Sequence, residues 1–349
     1  MTTACSRRSF LTGVTLTGCS SVLKGATALA NPNQPALISI SIDLEMARNY
    51  PSWEDTHWDY EKGNLDAASK RYSVQAAGRV KDQGGRIHFF AVGRVFEQED
   101  VGWLKEIADQ GHPIGNHTYD HVNIRARKAE ALQPRFRRAP WLIHGKAPLE
   151  VIRENIWMTS QALRGRLGVD AAGFRAPGGF PNGLKDYPEV QKLLLDLGFE
   201  WASTQYVYHP VGVSGYVPEF TPLRDQEPPA DVYQAVLEAH LQAQPSVYPS
   251  GLIEIPMCPI SDLIAFRTGR WRLPHFLKAI RQVVHQTIER RLVWVFLGHP
   301  SCLSVTDPEY QTINLICDLV RDAGESARLV TLETIAEQVK AQLHPHRRA

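Results

Sequence analysis

The sequence predicts an α/β barrel, and three observations carry that prediction. Apolar, strand-like runs alternate with helical stretches along most of the chain, the order that gives parallel strands joined by helical crossovers. The chain holds 25 Gly and 23 Pro, as many short elements and their turns require. Its conspicuous polar residues, Asp43 with Glu45, His117 with His121, Arg175 and His299, each follow an apolar run. In barrels of this class the chemistry gathers at the C-terminal ends of the strands.

The elements follow in order. Ala36 to Leu44 reads as a buried strand ending on the Asp43 and Glu45 pair, and an aromatic loop (Tyr50, Trp53, Trp58, Tyr60) runs from Arg48 to Glu61. A helix from Leu65 to Gln83 stops at Gly84-Gly85, since glycine is the usual residue just past a helix end. Ile87 to Val92 is a strand, Glu97 to Gln110 a helix stopped by Gly111, and Pro113 to Asn116 a short strand delivering His117. A basic insertion spans Val122 to Lys146. Pro148 opens a helix to Leu167, with Pro in the first turn, where its missing N–H costs nothing. Gly173 to Arg175 predicts a brief strand, Glu189 to Leu197 a helix capped by Gly198, and Phe199 to Ser203 a strand. A Pro-rich excursion (Tyr208 to Pro229) precedes a helix from Asp231 to Gln244. The pattern ends with strand Leu252 to Pro256, helix Pro274 to Arg290, strand Leu292 to Leu297, helix Pro308 to Ala323, strand Arg328 to Thr331 and a last helix. No internal repeat or low-complexity block interrupts it, so residues 31–349 read as a single domain.

Composition narrows the function. With 349 residues, 43% hydrophobic, 21% charged and a formal net charge of +1, the chain is globular and has ample length for a buried core. It lacks the basic excess of a nucleic-acid binder. No apolar run is long enough for a mature membrane span. Residues 1–30 read as an export signal: Arg7-Arg8 within Ser6 to Leu11 is a twin-arginine motif, followed by a mildly apolar stretch to Leu23. Cleavage after Ala28-Leu29-Ala30 releases a soluble periplasmic or extracellular protein. Leu16-Thr17-Gly18-Cys19 also reads as a lipoprotein box, and the protein meets a membrane only if Cys19 is lipidated. Outside the signal only Cys258, Cys302 and Cys317 remain, a set without zinc-knuckle spacing that reads as buried free thiols.

The polar residues form the kit of a metal-assisted amide hydrolase. His117 and His121 are spaced as a two-ligand clip, although 13 histidines make about half of one such pair expected by chance. Two carboxylates two residues apart after an apolar strand project into the barrel mouth. With the histidines they make a two-His, one-carboxylate site suited to catalytic zinc or another divalent ion. Arg175, in Arg175-Ala176-Pro177-Gly178-Gly179, is a salt-bridge residue or a fork that orients a carboxylate base and lowers its pKa. His299 sits where the apolar strand Val293 to Leu297 exits.

Five segments, SIDLE, HTYDH, RAPGG, the tryptophan after GFE and the late LGH, together resemble the polysaccharide deacetylases of carbohydrate esterase family 4 over roughly residues 36 to 340. The segment Ile253-Glu254-Ile255-Pro256 also looks like a strand of that family. The resemblance implies a distorted (β/α)7 barrel and an exported hydrolase that removes N-acetyl groups from an amino-sugar polysaccharide. It implies a divalent metal, Zn2+ first and Co2+ or Fe2+ as alternatives, on His117 and His121. Many relatives carry two adjacent aspartates in the first motif, whereas this chain has Leu44 in the second place. It is closer to a D-x-D/E variant, which makes Asp43 the general base and Glu45 the third ligand, with an exchange of those roles left open. The resemblance further implies that Arg175 holds Asp43, that Trp201 forms an apolar wall against the acetyl methyl, and that His299 is the general acid. The backbone near Pro177 and Gly178 would meet the substrate and its oxyanion. Relatives often pair the late histidine with an aspartate near the tryptophan; Trp201-Ala202-Ser203-Thr204 offers none. Two other readings stand beside this one: a small or cyclic amide hydrolase on the same scaffold, and a non-catalytic glycan-binding lipoprotein.

Overall fold

The computed structural model describes residues 34–52, 62–211 and 227–343; the export signal and the loop tryptophans Trp53 and Trp58, with Tyr60, lie outside them. Among the described residues nine strands make one sheet: β1 (Ala36–Leu44), β2 (Ile87–Ala91), β3 (Ile114–Asn116), β4 (Phe174–Phe180), β5 (Trp201–Gln205), β6 (Ser246–Val247), β7 (Ile253–Glu254), β8 (Val293–Gly298) and β9 (Ala327–Leu329). Seven run parallel in the order β7-β5-β4-β3-β2-β1-β8, which matches the seven-stranded expectation. The short β6 pairs antiparallel with β7. Strand β9 pairs with residues 36–38 of β1, on the edge that β2 occupies at residues 40–44.

The sheet curls until its two ends meet. Past β7, the Cys258 N–H donates to the Val295 carbonyl at 3.1 Å. Gln244 completes the seam: its side-chain oxygen accepts from the Val293 N–H at 3.0 Å, and its amide nitrogen donates to the Val293 carbonyl at 3.0 Å. A buried strand edge must satisfy its backbone groups, and here one glutamine replaces a missing ladder neighbour. Helices Ala67–Asp82, Pro148–Leu167, Leu273–Arg290 and Gln311–Asp322 pack around the outside.

Strand β1 shows why the residues segregate. Side chains alternate across a strand, so Ile38, Ile40, Ile42 and Leu44 turn one way, and Ser39, Ser41, Asp43 and Glu45 the other. All eight are buried. The isoleucine row belongs to the main apolar core. The polar row faces the barrel interior, where Arg175 reaches Ser41 and Asp43.

Several boundaries moved. The strand expected at Gly173 to Arg175 continues to Phe180, because the Pro-Gly-Gly segment is absorbed as an irregularity in its pairing with β5. The helix expected from Glu97 starts at Gly102, where the Asp100 carboxylate accepts from the Gly102 N–H at 2.7 Å; residues 93–97 form a tight 3-10 turn instead. A short helix at Pro300–Thr306 follows His299 directly. It was not expected, because a proline after a histidine reads as a turn, yet Pro suits a first helical position.

Two glycines separate conformational strain from crowding. Gly173 has φ +79° and a Cβ there would lie 2.0 Å from the Trp201 ring, whereas Gly84 has φ +78° with open space around it. Gly84→Ala should cost about 1 kcal/mol for the left-handed backbone alone. Gly173→Ala adds an overlap inside the core and should cost about 2–4 kcal/mol, measured as a shift in the urea unfolding midpoint.

Candidate active site

The C-terminal ends of β1, β3, β4 and β8 open on a cavity of about 550 Å³, and Asp43, Glu45, His117, His121 and His299 all line it. Arg175 lies just beneath as a fully buried guanidinium. Its Nη1 donates to Asp43 Oδ1 at 2.9 Å and to Ser41 Oγ at 2.8 Å, its Nε to Ser203 Oγ at 3.3 Å, and its Cζ lies over the Phe90 ring, 4.2 Å from the centroid. Burial draws the guanidinium downward from its usual range and the Asp43 carboxylate opposes that. A group that starts so basic stays charged. Asp43 is thus fixed through Oδ1, with Oδ2 turned toward His117 and His299.

His117 is held through its far side. Its Nδ1 lies 3.0 Å from the Arg175 carbonyl, and a carbonyl can only accept, so Nδ1 carries the proton and Nε2 keeps its lone pair. That nitrogen points between the carboxylates, 3.7 Å from Asp43 Oδ2 and 3.7 Å from Glu45 Oε2. A histidine pinned this way is prepared as a ligand. His121 Nε2 lies 2.7 Å from Glu45 Oε2. The two histidines meet through an irregular loop rather than a helical turn: Thr118 and His121 both have φ +57°. Asn116 Oδ1 accepts from the Thr118 N–H, Asn155 Oδ1 from the Asp120 N–H, and Asp120 pairs with Arg94 and Arg135.

Glu45, His117 and His121 offer three ligand atoms within 4.8 Å of one another. Burial lowers both imidazoles, His121 to about 4, which leaves them neutral and able to coordinate at pH 7. Burial alone raises the Glu45 carboxyl, but His121, the Lys62 ammonium and His117 outweigh it and hold it well below the usual carboxylate range. Burial also draws the Lys62 ammonium downward, and the Glu45 carboxylate opposes that. One carboxylate and two neutral imidazoles, one oriented from behind by a carbonyl, are the donor set a divalent ion such as zinc takes.

Across the cavity His299 Nδ1–H donates to Asp262 Oδ1 at 2.9 Å, and the His299 backbone N–H donates to Asp262 Oδ2 at 2.6 Å. Its Nε2 faces Asp43 Oδ2 at 4.0 Å and Glu45 Oε1 at 3.8 Å. Burial works to lower the imidazole, yet Asp262 first, then Asp43 and Glu45, raise it. His299 therefore holds a proton that His117 and His121 do not.

Two sequence expectations land elsewhere. Trp201 begins β5, away from the cavity, packed edge-on to His88 and Phe90 and over Gly173. The apolar wall consists instead of Tyr206, Tyr208, Met257, Ile264 and Leu297. The reason is polarity along the strand: Trp201 is at the N-terminal end of β5, whereas the site needs residues beyond its C-terminal end. Gly178 lines the cavity, exposed and with φ +72°, while Pro177 is buried beside it and does not. Asp262 and Lys62 were missed. Asp262 follows the apolar run Ile255 to Ile260, the same strand-exit signature that marks Asp43. Lys62 left no such signal, because it follows a polar loop.

Comparisons with known proteins bear on this arrangement. The sequence profile of the family described as polysaccharide deacetylase matches residues 64–198. No curated protein matches the sequence. Among solved structures, a Mycobacterium smegmatis protein classed with the polysaccharide deacetylases aligns at TM-score 0.58 and 18% identity, over 91% of this chain and 95% of that one. A counterpart from Pseudomonas aeruginosa PAO1 aligns at TM-score 0.58 and 11% identity, over 93% and 96%. The Puue allantoinase aligns at TM-score 0.57 and 11% identity, over 93% and 96%. At these identities the structures report a shared fold.

The Asp262 contact predicts a pH signature. Asp262→Asn removes the carboxylate that raises His299, so its imidazolium should deprotonate at lower pH. If His299 acts as an acid, the alkaline limb of the kcat profile should move to lower pH by about one unit or more, while the acidic limb stays in place.

Proposed function

We propose that this chain, which matches the polysaccharide deacetylase family over residues 64–198, is an exported, metal-dependent deacetylase of an amino-sugar polysaccharide, hydrolysing the C–N amide bond of an acetylated sugar. One observation carries this reading: Asp43 and His299 each have their outer atoms tied down, by Arg175 and Asp262, and both present a free face to the space beside Glu45, His117 and His121.

A divalent ion held by Glu45, His117 and His121, Zn2+ before Co2+ or Fe2+, would supply Lewis acidity toward the acyl oxygen and the attacking water. The residues do the rest. Asp43 Oδ2 accepts the proton of the attacking water while Arg175 holds the carboxylate in place through Oδ1. The backbone at Gly178 and Gly179, which lines the cavity, faces the developing oxyanion. His299 delivers its proton to the departing amine, and Asp262 holds the imidazolium before that transfer. Tyr206, Met257 and Leu297 form an apolar cluster that seats the acetyl methyl, the role the sequence had assigned to Trp201. The products are acetate and a free amino sugar.

The polymer class is peptidoglycan, chitin-like glycan or an acetylated exopolysaccharide. A second reading, hydrolysis of a small or cyclic amide, is favoured by the Asp43-Leu44-Glu45 departure from the adjacent-aspartate motif and by the fold shared with the Puue allantoinase. The complete set of ligands, base and acid argues against a non-catalytic glycan-binding lipoprotein.

The test is acetate release by the chain from Asn31 onward, stripped of metal and reloaded with zinc or cobalt, on chitin oligomers, peptidoglycan and an acetylated exopolysaccharide. Metal-dependent acetate is expected. His117→Ala should lose both metal and activity, and His299→Ala should keep its metal while turnover falls about 10²- to 10⁴-fold. Hydrolysis of a cyclic ureide with no acetate from any glycan would replace the first reading by the second.

A further inference from the structure

The charges in the cavity do not cancel. Its lining holds two acids, Asp43 and Glu45, and three permanent or strong bases, Arg48, Lys62 and Arg267. Lys62 is taken by Glu45, and the buried Arg175 is taken by Asp43. Arg48 and Arg267 remain, and among the described residues neither has an ion-pair partner. A divalent ion on Glu45, His117 and His121 would leave the cavity more positive still.

Both arginines line the same cavity. Arg48 follows β1, and Arg267 comes from the π-helical turn Leu263–Thr268. Arg267 acts electrostatically on Tyr50, two residues from Arg48, and on Lys62. The backbone beside Arg48 is itself anchored, with the Ala47 N–H donating to Ser301 Oγ at 2.8 Å and Tyr50 buried. Arg267 is half-buried and Arg48 exposed. Lone arginines on an open surface mean little, since water solvates them. These two line the walls of a concave site beside the reacting groups, where the attraction for an anion is strengthened by partial exclusion of water. A guanidinium offers a planar fork that matches a carboxylate with two parallel hydrogen bonds.

Resting on the amide-hydrolase reading above, we infer that the substrate carries a carboxylate close to the scissile N-acyl group, and that Arg267 with Arg48 receives it. The apolar wall of Tyr206, Met257 and Leu297 then takes the acyl side while the two arginines take the acid. The site thereby selects acidic substrates over neutral ones of the same shape. An acidic amino sugar and an acidic cyclic ureide share this chemistry.

Binding tests the inference without relying on turnover. The zinc-loaded full chain carrying His299→Ala is titrated calorimetrically with N-acetylmuramic acid against N-acetylglucosamine, and with hydantoin-5-acetic acid against hydantoin. The acid of one pair should bind at least tenfold more tightly than its neutral counterpart, and which pair does so identifies the source. Adding Arg267→Gln and Arg48→Gln should erase that preference and leave the affinity for the neutral ligand unchanged. Arg48→Gln alone, at an exposed position that cannot upset folding, should reduce the preference in part, and raising salt should weaken only the acid. Equal binding of acid and neutral ligand, no binding of either pair, or a preference that survives both substitutions would overturn the inference. Acetate release from neutral glycans without charge preference would overturn it and leave the deacetylase standing. Charge-selective binding without acetate release from any glycan would uphold it and remove the deacetylase.

Discussion

Arg175 is the residue on which the site depends. Its guanidinium crosses the barrel interior to hold Asp43 at 2.9 Å, and its own carbonyl holds His117 at 3.0 Å. One residue therefore sets the base through its side chain and a metal-ligand candidate through its backbone, so the two cannot drift apart. Burying an ion pair is expensive, and such a pair rarely stabilises a fold beyond what a well-packed apolar pair would. The burial is tolerated because Ser41 and Ser203 take further N–H groups and the Phe90 ring covers the guanidinium. What it yields is position.

The same logic repeats across the cavity. His299 is held through both its ring and its main chain by one buried carboxylate, Asp262. The protein thus tunes the three histidines of the cavity in opposite directions. His117 and His121, dominated by desolvation, stay neutral. His299, with an acidic partner to each side, keeps its proton. Groups of one residue type assigned different charge states by their surroundings are a recurrent mark of acid–base sites.

Much of this was legible in the chain. The β1 segment declares itself, since alternation of serine with isoleucine followed by Asp43 and Glu45 leaves one face apolar and the other polar to the strand end. Asn116-His117, Phe174-Arg175 and Gly298-His299 repeat the signal of polar residues at the end of apolar runs; the barrel places His117 and His299 at one mouth and Arg175 just beneath it. Trp201 stands at the entry of β5 rather than at its exit. Residues near one another in a motif can lie at opposite ends of a strand five residues long, and only the end facing the mouth contributes to the cavity. Asp262 was missed because it is separated from His299 by 37 residues and by a helix, a distance that local pattern does not bridge.

By itself, then, the sequence determined which faces are apolar, where strands stop and which ionisable residues stand at those stops, because periodicity and turn chemistry act over a few residues. Only the tertiary structure decided who meets whom: that Lys62 settles on Glu45, that Gln244 stands in for a strand at the seam, that Asp262 rather than a neighbour of Trp201 supports His299, and that Arg48 and Arg267 are left over inside the cavity. Those pairings depend on the curl of the sheet and on the exclusion of water from its mouth, and both arise only when distant segments are packed together.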